Sequence, residues 1–159
     1  MILRQARAGD APDIARIANH VIAETLVTFT TILRRPGDIA TDIATRAPAY
    51  LVLEAEGRAE GFATYGPFRG GPGYVATVEH SIQLSPAIQG RGGGRLLLSA
   101  LIDIARERGV HVMIGGVSSA NPGGIAFHRA MGFDETGRLR EVGRKQGQWL
   151  DLVLMQKLL

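Results

Sequence analysis

Residues 89–95 read Gln89-Gly90-Arg91-Gly92-Gly93-Gly94-Arg95. An amphipathic stretch follows, with Leu96, Leu97, Ala100, Leu101, Ile104 and Ala105 at helical spacing and Gly109 at its end, which predicts a helix. A glycine-rich turn at a helix N-terminus presents backbone N–H donors and the positive end of the helix dipole, a phosphate-binding arrangement. Two nucleotide templates fail here. A P-loop needs Lys after its last glycine, but Arg95-Leu96 follow Gly94. A dinucleotide loop needs G-x-G-x-x-G, and the third glycine falls on Arg95 or Leu97. The pattern present is Q-x-x-G-x-G, from Gln89 to Gly94.

Outward from this turn, strand patterns alternate with helical ones. Strands are predicted over residues 2–6, 50–54, 59–65, 74–84, 111–117, 134–142 and 148–157. Asp10 is placed as the cap of a first helix carrying Ile14, Ile17, Ala18, Val21 and Ile22. Pro36-Gly37-Asp38 opens a second helix, and Asn121-Pro122 opens another that Gly132 stops. Such mixing predicts an α/β or α+β fold around one sheet.

A length of 159 residues suits a single domain spanning residues 1–159. With 45% hydrophobic and 21% charged residues the chain is not disordered in the main. The absence of Cys excludes disulfide scaffolds, thiolate metal sites and a cysteine nucleophile, and no metal centre is expected. No apolar run reaches the roughly 20 residues of a membrane span, and Met1-Ile2-Leu3-Arg4-Gln5 lacks a signal-peptide core. The expectation is a cytoplasmic protein with no membrane partner. The net charge of +3 is carried almost wholly by Arg, since Lys145 and Lys157 are the only lysines. No basic run with interleaved aromatics occurs, so a small anionic ligand is expected rather than nucleic acid.

The loop, in its place between a strand and a helix, resembles the pyrophosphate loop of the GNAT superfamily of acetyl-CoA-dependent N-acetyltransferases. A second stretch, Asn121 followed by Phe127-His128-Arg129-Ala130-Met131-Gly132-Phe133, resembles that superfamily's next motif. There an Asn opens a helix, and Tyr or His stands four residues before Gly-Phe. Val78-Glu79-His80-Ser81-Ile82, Val142-Gly143-Arg144-Lys145 and Gly147-Gln148-Trp149-Leu150-Asp151 are similar to the branch that acetylates phosphinothricin and methionine sulfone or sulfoximine. The resemblance implies a mixed, mostly antiparallel seven-stranded sheet with about four helices. Strands 4 and 5 splay so that the pantetheine lies between them, and the partners implied are acetyl-CoA, a small-molecule amine acceptor and a second copy in a homodimer.

Site residues follow from the resemblance joined to the chemistry. Free amines of amino acids are mostly protonated at neutral pH, so a base is needed. Glu79, a carboxylate in an otherwise apolar and small-residue strand, is the candidate; His80 alternates to the other face. The leaving thiolate, with a pKa of about 8.5 by analogy with Cys, wants a proton donor. His128, where many members carry Tyr, is expected to supply it. Gln89, Gly90, Arg91, Gly92, Gly93, Gly94 and Arg95 would hold the pyrophosphate. Ile82, Gln83 and Leu84 would meet the pantetheine amides through the backbone, and Asn121 through its side chain. Phe29, Tyr65, Phe68 and Arg69 would form the acceptor site, with Arg69 on a substrate carboxylate. Thr30 and Ile32 stand where phosphinothricin enzymes tend to carry Arg and Glu, and Val75 replaces a second Arg of the methionine-sulfone branch. These departures leave room for a less charged acceptor. The other readings are a protein N-terminal or polyamine acetyltransferase and a non-catalytic acetyl-CoA sensor. A polyamine site should be lined with carboxylates, and residues 29–35 and 67–73 contain none; a sensor should have lost Glu79 and His128.

Overall fold

The computed structural model describes residues 1–159. Its strands are β1 (Ile2–Gln5), β2 (Tyr50–Ala55), β3 (Arg58–Pro67), β4 (Thr77–Leu84), β5 (Val112–Ser118), β6 (Asp134–Lys145) and β7 (Gln148–Leu158). They form one sheet in the order β1-β2-β3-β4-β5-β7-β6. Only β4 and β5 pair in parallel. The helices are α1 (Ala11–Glu24), α2 (Pro36–Arg46), α3 (Gly93–Glu107) and α4 (Pro122–Ala130). The expected mixed, mostly antiparallel seven-stranded sheet with four helices is therefore present. No helix is long and apolar enough to cross a membrane.

Both faces of the sheet are covered, so β2 reads as an unbroken apolar run rather than an alternating one. Tyr50 and Val52 face α1 and α2, where they pack with Ile14, Ile17, Ile39, Ile43 and Phe62. Leu51 and Leu53 face α3, joining Leu97, Leu98, Leu101, Met113, Val153 and Met155. Burying a Leu or Ile side chain is worth about 1.5–3 kcal/mol, so these two layers hold the sheet rigid between them.

The site is positioned by one irregularity. β4 pairs with β5 only from Thr77 to Glu79, against Val112 to Ile114. Beyond that, β4 stays with β3 as far as Leu84, while β5 follows β7 to Ser118. From residue 80 onward the β5-facing edge of β4 has no ladder partner, and a fork opens.

Three local expectations are corrected. Asp10 occupies the cap position of α1, but its carboxylate does not cap the helix. It accepts two hydrogen bonds from Arg4, at 2.8 and 2.9 Å, and one from the Arg7 N–H at 2.7 Å; a guanidinium is a stronger partner than a neutral backbone donor. Strand β4 begins at Thr77, not at residue 74, because Gly71 adopts φ +99° and Pro72–Tyr74 wind into a 3-10 turn. β6 runs on to Lys145, past residue 142, because a register shift between Leu139 and Gly143 absorbs Glu141 at φ +57° and lets pairing with β7 resume.

Candidate active site

The glycine turn and the fork form one continuous cleft. Gly92, at φ +82°, precedes the first residue of α3, and Leu96 is the first to close a helical bond back, to the Gly92 carbonyl at 3.2 Å. The N–H groups of the first turn of α3 are left to point outward. Gly93 and Gly94 are closely packed: a Cβ on Gly93 would stand 2.6 Å from Leu53 and force it to shift, and one on Gly94 would stand 3.3 Å from the Phe127 ring. Arg91 and Arg95 are exposed and enter no ion pair.

Behind the turn lies a channel of about 520 Å³ walled by Ile82, Gln83, Leu84, Gly94, Asn121 and Phe127, with His20, Val21, Thr25 and Val27 opposite. Gln89 also borders it, donating a hydrogen bond to the Leu84 carbonyl at 3.3 Å. Asn121 Oδ1 accepts from the Gly124 N–H at 2.9 Å and caps α4, and the residue borders the channel. A smaller cavity of about 160 Å³ continues into the fork, lined by Thr28, Glu79, Ser81, Gly115 and Gly116. The two share Val27, Ile82, Gln83, Asn121 and His128. A glycine-wrapped helix N-terminus, an apolar channel and an unpaired strand edge together fit a phosphate-bearing ligand with an extended amide arm, as acetyl-CoA is.

Glu79 opens into this fork. Its carboxyl is still reached by solvent, yet desolvation pushes its pKa above the ordinary carboxylate value, the direction a base working near neutrality needs. It makes no hydrogen bond or ion pair with another side chain. Its neighbour across β3 is Gly66, and Arg46 lies over Gly66, the guanidinium carbon 3.3 Å from where a Cβ would be. Arg46 forms no ion pair either.

His80 and His128 meet on the opposite face. Their Nε2 atoms are 3.0 Å apart and their rings stack at 5.0 Å. His128 Nδ1 lies 2.6 Å from the Gly124 carbonyl oxygen. Both ring nitrogens of His128 are thus engaged within the protein, and burial pushes its pKa down. The expected proton donor is therefore held, in this arrangement, as a neutral ring with no free N–H.

The acceptor residues are placed unevenly. Tyr65 pairs with His80 and turns toward α3, into the apolar core, where burial raises its pKa. It lines neither cavity, and strand alternation puts it on the face away from Glu79. Phe29 packs against Gly143 of β6, where a Cβ would fall 2.5 Å from its ring. Val27 and Thr28 take the place expected of it at the cavity wall. The loop is pinned there by Lys145, a buried lysine whose ammonium donates to the Thr28 carbonyl at 2.8 Å. Phe68 and Arg69 sit in the loop that leaves β3 just beyond Gly66. There the Arg69 guanidinium lies 5.7 Å from the Tyr74 ring centroid and Phe68 meets the same ring edge-on. Neither lines the channel or the smaller cavity of the fork. Sequence reasoning missed Val27, Thr28 and Arg46 and gave His20 no role, since none of these lies in a motif; His80 lies in the stretch around Glu79 but was passed over in favour of it.

Residues 17–133 match the Acetyltransferase (GNAT) family. The chain is 39% identical to an L-methionine sulfoximine/L-methionine sulfone acetyltransferase of Salmonella typhimurium, over 98% of this chain and 93% of that one. It superposes with a TM-score of 0.93 on a phosphinothricin acetyltransferase from Sinorhizobium meliloti in complex with acetyl-CoA, at 34% identity and covering 99% and 88% of the two chains. A ribosomal-protein-alanine N-acetyltransferase from Brucella melitensis is equally similar, with a TM-score of 0.94, 40% identity and full coverage of both chains.

Proposed function

The chain belongs to the acetyltransferase (GNAT) family, and from that premise we propose that it transfers acetyl from acetyl-CoA to the α-amine of a small amino acid or amino-acid analogue, of the methionine sulfone, methionine sulfoximine or phosphinothricin kind. The observation that carries this reading is the fork between β4 and β5, which leads from the glycine turn of α3 to Glu79. The test is thiol release from acetyl-CoA across a panel of amino acids and these analogues.

In this reading Glu79 takes a proton from the acceptor ammonium, directly or through one water. The amine then attacks the thioester carbonyl carbon; the C–N bond forms, the C–S bond breaks, and the second proton of the attacking nitrogen passes to the leaving thiolate, directly or through water. The N–H groups of residues 90–95, with Arg91 and Arg95, bind the pyrophosphate. The free edge of Ile82, Gln83 and Leu84 binds the amide arm beside Asn121. No metal is called for, since the base and the bound thioester suffice. The reaction is assigned to the cytoplasm, where acetyl-CoA is at hand.

Arg69 is assigned to the acceptor carboxylate, with Arg46 as the competing guanidinium on the Glu79 face. A hydrogen bond to a charged group is worth about 1.5–3 kcal/mol, or about 10–150-fold in kcat/KM. Arg69→Ala is expected to lose that factor for an amino acid and far less for the same amine without its carboxylate. A carboxylate-selective loss in Arg46→Ala instead would move the clamp to α2. A protein N-terminus as acceptor, the reading the Brucella likeness favours, carries no α-carboxylate at that distance, so indifference of both variants would favour it.

A homodimer through the terminal hairpin is also proposed. Trp149 is 59% exposed with Arg144 stacked over it at 4.3 Å, and Val142 is 56% exposed, an apolar patch that suits burial. Sedimentation equilibrium should give twice the 17.0 kDa chain mass; a concentration-independent monomer would end the proposal.

A further inference from the structure

The buried imidazole pair carries more than packing. His128 Nδ1 stands 2.6 Å from the Gly124 carbonyl oxygen, and a carbonyl only accepts, so Nδ1 bears the proton. In a neutral imidazole the other nitrogen is then bare, which makes His128 Nε2 an acceptor. His80 Nε2 lies 3.0 Å away. Two bare nitrogens at that distance would repel, so His80 Nε2 carries the hydrogen and donates it. His80 Nδ1 is left bare, and it is indeed buried without a partner. A buried acceptor left unsatisfied is rare enough to ask for a reason.

The surroundings keep the pair neutral. The Nε2 atoms rest over Gly115 of β5, where a Cβ would stand 2.9 Å from one and 3.0 Å from the other. Phe133 closes the pair edge-on against both rings, and Phe127 meets His128. From β3 the paired residue is Tyr65, and the core on that side of the sheet is completed by the apolar Leu97, Leu98 and Leu101 of α3. Lys157 of β7 stands against Gly132, just past the C-terminal end of α4 that carries His128, and Arg129 is occupied by Glu135. Glu79, the remaining titratable group of the cavity, points off the other face. No carboxylate meets either ring, and a proton added between the two Nε2 atoms would set two N–H groups against each other.

We infer that His80 is a positioning residue: its Nε2–H locks His128 as a neutral, Nδ1-protonated ring at the fork, so that the pair shapes the thioester end of the site and withholds a proton from the leaving thiolate. The inference rests on the acetyltransferase reading only for its effect on rate; the proton positions are a property of the free protein.

Nitrogen-resolved NMR of the imidazoles in the ligand-free protein tests it. Between pH 6 and 8, His128 should show a protonated Nδ1 and a bare Nε2, His80 the reverse, and neither should titrate. His80→Phe removes the donor and leaves His128 Nε2 free to take a proton, so the His128 midpoint should rise. His80→Gln, whose amide can donate in place of Nε2–H, should keep His128 as it is in the parent. In turnover, His80→Phe should lower kcat about tenfold, inside the ~10²-fold that a small misplacement can cost. KM for acetyl-CoA should stay unchanged, and His80→Gln should restore most of the rate. A protonated Nε2 on His128 in the parent protein overturns the inference even if His80→Phe does not fold. So does a His128 titration that His80→Phe leaves unmoved. Normal proton positions with no turnover of any amine would instead count against the acetyltransferase reading alone.

Discussion

Glu79→Gln is expected to lower kcat by about 10²–10⁴-fold, the range general-base catalysis supplies, while acetyl-CoA binding stays near that of the parent. The amide keeps the shape of the side chain and loses the basic oxygen. Because the glycine turn belongs to a separate element, binding and chemistry should part company in this variant. The pH dependence carries a sign. Desolvation raises the Glu79 pKa in the folded protein above its ordinary value, and the base acts deprotonated, so kcat/KM should climb with pH through that raised value. The same shift means the folded state holds this proton more tightly than the unfolded one. Stability from this group is therefore fully present below the ordinary carboxylate pKa and declines as pH rises through the folded value. Glu79→Gln should remove both the kinetic limb and that decline. A pH–rate profile with its ascending limb intact in the variant would assign the base elsewhere.

Gly92→Glu is expected to erase the stabilisation that acetyl-CoA confers. A ligand at 100 times its Kd adds about 2.7 kcal/mol, which for a domain of this size is a rise in Tm of about 5–11 °C at ~2–4 °C per kcal/mol. A Cβ on Gly92 meets nothing within 4 Å, so the new side chain does not collide with the protein. It stands instead in the open space over the α3 N-terminus, and its charge repels phosphate there. The residue also adopts φ +82°, which an L side chain occupies at a cost of about 1–2 kcal/mol, so the ligand-free Tm should fall as well. Gly92→Ala separates the two effects, because it bears the backbone cost without the charge and should keep part of the ligand-induced shift. Scanning calorimetry with and without acetyl-CoA reads both. A full shift in Gly92→Glu would remove the pyrophosphate from this turn.

The loop that pins the acceptor side was the least legible part of the chain. Residues 25–35 have no periodic pattern, and their placement depends on two distant contacts, Phe29 on Gly143 and Lys145 on the Thr28 carbonyl. Alternation along β4 correctly separated Glu79 from His80, but gave no sign that the buried member of that pair was also committed to the site.

What the sequence determined by itself was everything local. Helical spacing after Gly94, the glycine turn, the Asn121-Pro122 helix start and a carboxylate at Glu79 are each written within a few residues, because periodicity, caps and turn geometry are short-range properties. The mixed seven-stranded sheet was legible through the order of those pieces and their resemblance to a family. The tertiary structure alone decided which groups share the fork. His80 and His128 are 48 residues apart and meet only because Gly115 leaves them room. Tyr65 and Phe29 are drawn off the cavity wall into packing that the chain's own alternation and turns do not reveal. Whether an imidazole can give a proton is settled by which carbonyl and which second ring lie within 3 Å of it, and side-chain identity carries no record of either.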